Sequence, residues 1–443
     1  MAVARTQRLI PYLLVAAFTA LLGVLLSAQL AALSVVLLSV AVLMRYYAEL
    51  CYYVLQRLTV SPSVRASTEG GDVVVELEVV NPTAVPVVAA EFSLLYSEVL
   101  RLSGGSRAGV LVVPPRGRVR LRFTFKGRAG THRVGPLKLV ARDLLGLFRT
   151  EEVEVGRAFE VRVYPSVEEA VVRRLWLYTR SSGLAKSGRA GEGVELYSIR
   201  DYQPGDELRR LAWRVLASQG RPAVKEFEME SYQHVLFVID STRDMWFGPY
   251  WQTPVEHGVR VVASVARYLA RRGYTLSAVV FSERGVYLSG RPATGVQGFR
   301  RVYSTLARIE YSGSGTGGDE VLEKALEVAY AHLPRERTVV FLFTRPASTV
   351  REDTIIRWFR ILESSGHVAY LITPVITSYE LADLPPWAQK LYRVKLFEST
   401  SADLERVSRL RKLGIRTVAV GPADLPQRIV SIVESLAPRA VPL

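Results

Sequence analysis

The chain has 443 residues, enough for two or three domains with cores of their own, and 49% of them are hydrophobic, which excludes a disordered chain. It carries 57 Lys and Arg against 42 Asp and Glu, a formal net charge of +15, and the excess is unevenly spread. A lone cysteine, Cys51, excludes an intrachain disulfide and agrees with a reducing compartment.

From Leu9 to Met44 no residue is charged. As one helix this run would be roughly 54 Å long, against a hydrocarbon core of about 30 Å. Two spans with a turn near Ser27-Ala28-Gln29 fit better, and the run is too long for a signal peptide. Arg5 and Arg8 precede the first span, Arg45 follows the second, and the turn is uncharged. The distribution predicts a cell-membrane hairpin at 1–57 with both ends, and all that follows, in the cytoplasm. Tyr46, Tyr47, Tyr52 and Tyr53 fall where an aromatic belt would lie.

Residues 58–166 read as a β-sandwich of short strands divided by Gly- and Pro-rich turns. In "RVRLRFTFK", Val119, Leu121, Phe123 and Phe125 alternate with Arg118, Arg120, Arg122 and Thr124, one set for the core and one for solvent. From Arg101 to Arg149 twelve basic residues face a single acid, Asp143. Arg116, Arg118, Arg120 and Arg122 are therefore candidates for a membrane-surface contact, beside the plainer reading of a solvated strand face. They are not interleaved with exposed aromatics and no recognition motif accompanies them, so nucleic acid is not expected.

Residues 167–233 form a polar linker region containing "YSIRDYQPGDELRRLAWRVLA". Pro204-Gly205 makes a turn and Asp206 is placed to cap a helix. Leu208, Leu211, Ala212, Val215 and Leu216 then share one helical face. Arg200, Asp201, Asp206, Arg209, Arg210, Trp213 and Arg214 are the candidate partner-binding set, with a structural clamp as the competing role.

From 234 to 443, continuous apolar runs such as "HVLFVID", "TLSAVVF" and "TVVFLFT" alternate with amphipathic helices, the pattern of a mainly parallel, doubly wound α/β sheet. Enzyme signatures are missing: no phosphate loop, no His-Glu-x-x-His, no Cys-x-x-Cys, and five scattered histidines. Gly313, Gly315 and Gly318 satisfy Gly-x-Gly-x-x-Gly, but a helix precedes them, not the strand of a dinucleotide unit. No enzymatic activity is expected.

The densest polar signal of this region is Asp240-Ser241-Thr242-Arg243-Asp244 at the end of the first buried strand, where open parallel sheets bind ligands. Asp240, Thr242 and Asp244 alternate and offer oxygens suited to a hard cation such as Mg²⁺. Asp-x-Thr-x-Asp resembles the Asp-x-Ser-x-Ser adhesion site of von Willebrand factor type A domains. That resemblance implies a further donor near Gly317-Gly318-Asp319, with Thr316 as the other choice, and an acid after the fourth strand. Here that strand ends in Thr344-Arg345-Pro346, and Arg345 opposes a cation, so no cofactor is expected.

"GEGVELYSIRDYQPGDELRRLAWRVLA", "KEFEME", "VLFVIDSTRDM" and, upstream, "KGRAGTHRVGPLKLVARDLLGLFR" together resemble the family known as domain of unknown function fifty-eight. The resemblance implies a membrane hairpin, a β-domain, the signature region and a von Willebrand A-like domain, and as partner a MoxR-type AAA+ ATPase. The expected function is a non-enzymatic, membrane-anchored adaptor or assembly factor. The alternative is a metal-dependent adhesion-type receptor that binds at the Asp240 loop. The sequence does not speak to oligomeric state.

Overall fold

The computed structural model describes residues 3–65, 68–169, 171–173, 175, 190–204, 206–207, 211–228, 234–249, 251–311, 318–334, 336–381, 384–421 and 425–436. They fall into two compact units, Met1–Val163 and Tyr164–Leu443.

The first unit opens with a short strand, β1 (Val3–Arg5), and two apolar helices, α1 (Leu9–Leu25) and α2 (Ala28–Arg57). Where the helices meet, a Cβ on Gly23 would lie 2.4 Å from the backbone nitrogen of Ala31, so only glycine permits the approach. Tyr12 Oη donates to the Leu37 carbonyl at 2.9 Å. Leu14, Phe18, Val24, Val36 and Val42 stay exposed, an apolar surface that water does not favour. Among the described residues α2 is the helix long and apolar enough to cross a membrane, and it fits membrane anchoring. At 17 residues α1 extends about 25 Å, short of a hydrocarbon core of about 30 Å.

The last turns of α2 do something else. Cys51, Val54 and Leu55 are fully buried in the core of the strands that follow, so the anchor does not end cleanly at residue 57. Those strands are β2 (Thr59–Arg65), β3 (Asp72–Val80), β4 (Val87–Tyr96), β5 (Arg101–Gly104), β6 (Ala108–Val113), β7 (Arg118–Lys126), β8 (Gly130–Arg142), β9 (Phe148–Thr150), β10 (Val153–Val155) and β11 (Phe159–Val163). One sheet has the order β2-β3-β7-β5; the other runs β1-β9-β8-β4-β6, with β10 and β11 also on β8. Both contribute to one core: Val73, Val75 and Leu77 from β3, Phe123 and Phe125 from β7, Leu94 from β4, and Leu137 and Leu139 from β8. The alternation read in β7 follows from this core, with Phe123 and Phe125 buried and Arg118, Arg120 and Arg122 outside.

Those arginines are not bare charges. Across the ladder Arg118 and Arg120 approach Glu78 at 3.6 and 3.1 Å, and Arg122 approaches Glu76 at 3.9 Å. Arg116 instead occupies the preceding turn with φ +50°. The face keeps a basic excess, but cross-strand pairing neutralises part of it.

The second unit begins with a hairpin of β12 (Ala190–Asp201) and β13 (Ala223–Glu228), with α3 (Trp213–Gln219) between them. Then come β14 (His234–Asp240), α4 (Pro254–Arg271), β15 (Thr275–Ser282), β16 (Gly285–Leu288), β17 (Ala293–Thr294), α5 (Gly295–Leu306) and α6 (Gly318–Ala331). The rest is β18 (Thr338–Phe343), α7 (Thr349–Ser364), β19 (Val368–Pro374), α8 (Ile376–Glu380), α9 (Pro386–Lys412), β20 (Thr417–Val420) and α10 (Leu425–Leu436). The sheet order is β16-β15-β14-β18-β19-β20, parallel from β15 to β20 and closed by antiparallel β16 and β17.

All seven residues of β14 are buried, because helices cover both faces of the sheet. Leu236 and Val238 meet α6 and α7 through Leu322, Leu326, Ile355 and Phe359. The other face packs against α4, whose start is tightly specified. Thr253 Oγ1 accepts from Glu256 N at 3.4 Å and donates to its carboxylate at 2.8 Å, while Pro254 opens the helix. Glu256 is fully buried, so Thr253→Ala leaves a carboxylate short of a donor. The expected cost is about 0.5–2 kcal/mol, read as a lower urea midpoint with an unchanged slope.

Chain order along the sheet reverses at β14, with β15 on one side and β18 on the other. The carboxyl ends of β14 and β18 therefore flank the crevice where such sheets place their sites.

Candidate functional site: a buried arginine at the sheet's switch point

Asp240 ends β14, and its carboxylate is fully buried. One oxygen, Oδ1, accepts from Thr242 N at 2.8 Å and so folds the following loop back over the strand end. The other, Oδ2, accepts from Thr344 Oγ1 at 2.5 Å and from Arg351 Nη1 at 2.9 Å. Thr344 follows β18, and Arg351 stands in the first turn of α7.

Arg351 is the centre of the site. Its Nε donates to Asp319 Oδ1 at 2.8 Å, and its Nη2 donates to Thr242 Oγ1 at 3.2 Å and lies 3.4 Å from Asp244. The side chain is 0% exposed, as is that of Asp240, while Asp244 and Asp319 stand at the rim, 48% and 36% exposed. Burial works against the guanidinium charge; Asp240, Asp244 and Asp319 outweigh it and hold the pKa above the ordinary arginine value.

The surroundings are built for this residue. Ser348 caps α7, accepting from Arg351 N at 3.1 Å and donating to Asp319 Oδ2 at 3.0 Å. A Cβ on Gly318 would fall 2.4 Å from Arg351 Nη2, so glycine there makes room for the guanidinium. Asp319 and Glu320 lie in the first turn of α6, where negative charge is favoured by the helix dipole.

The four residues read from the sequence as metal donors, Asp240, Thr242, Asp244 and Asp319, are thus brought together, but around a guanidinium. A divalent cation about 4 Å from Arg351 would meet a repulsion of roughly 8 kcal/mol at an effective dielectric of about 20. The donor set does not fit Mg²⁺, since the inward oxygens of Asp240, Thr242 and Asp319 already accept from Arg351. Among the described residues no group of three or more His, Cys, Asp or Glu side chains is arranged to hold a metal ion. The charge at this position comes from Arg351, not from Arg345. Arg345 turns away to Asp403 at 2.5 Å, in a network where Arg406 also reaches Asp403 and Glu352. Thr316 lies outside the described residues.

The signature stretch also departs from the helix expected of it. Among the described residues Asp206 is gripped by both terminal nitrogens of Arg200, at 2.8 and 2.7 Å, and accepts from Gln203 N at 2.8 Å, while residues 208–210, where the capped turn is expected, lie outside them. The Arg200 guanidinium, and then the Gln203 amide, hold the Asp206 carboxyl below its usual range. Leu211 bridges to Val224 of β13, and Ala212 N bonds Ala223 O. Pairing with β13 keeps the chain extended there and delays the helix to Trp213, with Ala212 as an N-cap lacking any side-chain bond. Trp213 is left 65% exposed beside an exposed Arg214. Asp201 faces Arg221 at 3.7 Å. Arg209 and Arg210 lie outside the described residues.

Residues 198–365 match the family model described as "Protein of unknown function DUF58". An uncharacterised protein of Mycobacterium tuberculosis is 28% identical over 130 residues, which are 29% of this chain and 40% of the relative. The chain thus spans about two fifths of the length of the curated relatives it matches. Among solved structures it is similar to a von Willebrand factor type A protein from Catenulispora acidiphila, at 13% identity and a TM-score of 0.28 over 47% of this chain and 43% of that one. It is similar also to the manganese-loaded TRAP protein of Plasmodium vivax, at 11% identity and a TM-score of 0.28 over 48% of this chain and 75% of that one. The stretch 198–365 that matches this family model includes Asp240, Asp319 and Arg351.

Proposed function

We propose that this protein is a non-enzymatic adaptor or assembly factor, anchored in the cell membrane by a two-span hairpin with its other domains in the cytoplasm. The two-sheet unit is read as a β-sandwich that joins the anchor to a von Willebrand A-like interaction domain. The observation that carries the reading is the Arg351 guanidinium at the centre of Asp240, Thr242, Asp244 and Asp319. A metal-dependent adhesion receptor needs a cation with an open position for its ligand. A fully buried arginine offers no such position, so the adhesion alternative loses its central element and a metal-independent docking role is favoured. Among the described residues no nucleophile–base pair accompanies the site, and the reading keeps to a binding role.

The docking surface is placed on the signature hairpin, at Arg200, Asp201, Trp213 and Arg214. An exposed tryptophan beside a free-standing arginine is the composition of an interface anchor. A MoxR-type AAA+ ATPase is the proposed partner, supplying the energy this chain does not harvest. The test is purification of the full chain from native membranes. Wild type should retain an AAA+ ATPase in EDTA, and Trp213→Ala with Arg214→Glu should release it without lowering the melting temperature. Release by EDTA alone would overturn the reading in favour of adhesion.

A further inference from the structure

Helix α9 is anchored by only part of its length. Val407, Leu410 and Asp403 are buried in its second half, where Arg406 and Arg409 also pair with Glu352. Earlier in the helix Ala388 faces the domain. Opposite Ala388 the helix carries a second apolar stripe: Trp387, Leu391, Val394 and Phe397 are 70%, 67%, 77% and 69% exposed. The spacings of four, three and three residues put them on one face. Burying that face against the domain's own core would turn Asp403, Val407 and Leu410 outward, so the fold commits it to the outside.

The charges from Lys390 to Lys395 are all basic, and the first acid of the helix, the exposed Glu398, follows Phe397. Lys390, Arg393 and Lys395 are exposed, and no acid occurs from Pro386 to Phe397. Among the described residues the ion pairs of the helix lie in its second half, at Asp403, Arg406 and Arg409. A protein core of ordinary composition would cover the apolar stripe but leave three cations without a partner. A bilayer surface takes both: aromatic and aliphatic side chains enter the headgroup boundary while lysine and arginine meet anionic headgroups. The chain also carries a helix suited to cross a membrane, so such a surface is always at hand.

We propose that the first three turns of α9 form an interfacial helix that lies on an anionic lipid surface through Trp387, Leu391, Val394 and Phe397, with Lys390, Arg393 and Lys395 supplying the charge. The inference rests on the membrane anchoring, not on the identity of any protein partner.

The experiment uses the full chain carrying Val394→Cys, labelled with an environment-sensitive fluorophore and reconstituted into vesicles. Val394 is exposed and Cys51 is buried, so labelling leaves the fold alone. Flotation with the vesicles reports anchoring independently of α9. In vesicles containing phosphatidylglycerol the emission should move to shorter wavelength, and in pure phosphatidylcholine it should not. Lys390→Glu with Lys395→Glu should return the label to water, each lost charge weakening the lipid contact about fivefold. The same emission in both lipids overturns the proposal. So does a blue shift in both that grows with protein density, which would mark contact between copies. Failure to float would overturn the anchoring instead.

Discussion

Arg351→Ala is expected to destabilise the second unit by about 3–5 kcal/mol, because it leaves Asp240 buried without its counter-charge. Asp240 keeps Thr242 N and Thr344 Oγ1, which soften the loss but do not neutralise it. Arg351→Lys should recover only part of the deficit. An ammonium on a flexible stem cannot reach Asp240, Thr242 and Asp319 from one planar fork. The substitution also changes ligand chemistry. Without the guanidinium, Asp240, Asp244, Asp319 and Thr242 surround a space of the right chemistry for a hard cation, and repulsion from Arg351 is gone. Mg²⁺ or Mn²⁺ should therefore raise the melting temperature of Arg351→Ala and leave wild type unchanged. Binding to the native state alone stabilises by about 2.7 kcal/mol at a hundredfold excess over Kd. Calorimetric titration of both forms decides the matter. Tight binding to wild type that Asp240→Ala abolishes would show that the guanidinium does not replace a metal. An Arg351→Ala variant as stable as wild type would show that the carboxylates do not depend on it.

The strands and half of this site were legible because each leaves a local pattern. Period two in β7 and the continuous apolar run of β14 follow from burial on one face or two. Asp240, Thr242 and Asp244 share a short loop at a strand end, so their convergence can be read from spacing. Arg351 lies 111 residues from Asp240, and no spacing rule links them. One signal was present. Arg351 stands in register with Ile355, Phe359 and Leu362, a charge in the apolar face of α7. Such a residue is seldom buried without a partner. Arg345 follows the right strand, yet sequence position does not fix where a long side chain turns, and Asp403 of α9 claims it. The helix expected over Leu211 and Ala212 is absent for a different reason. Helical periodicity from Leu208 to Leu216 is a local preference, and pairing of Leu211 and Ala212 with β13 overrides it.

Histidine 234 gives the second large effect, at the opposite end of β14. It is 1% exposed and bridges two strands. Its Nδ1 lies 2.9 Å from Thr338 Oγ1 and its Nε2 lies 2.8 Å from Ser277 Oγ. Thr338 Oγ1 already donates to the Glu336 carbonyl, so it accepts from Nδ1–H, and Nε2 accepts from the serine. A second proton would have to enter at Nε2, against burial and beside His367, and the pKa falls to about 4. His367 is shifted in the same direction by its own burial, and its Nδ1 accepts from Thr338 N at 3.2 Å. In the unfolded chain a histidine takes its proton near pH 6.5. Between that value and about 4 the unfolded state binds more protons than the folded one, so stability rises with pH and is lost as pH falls through this window. For His234 the full loss is about 3 kcal/mol, most of it present by pH 4.5. Chemical denaturation of the full chain at intervals from pH 7.5 to 4.5 should show this slope. His234→Gln keeps a donor and an acceptor but has no proton to gain, and should flatten the curve to the part that His367 contributes. Equal slopes in the two proteins would mean that His234 is already charged in the folded state, and that Ser277, not the imidazole, gives up its hydrogen bond.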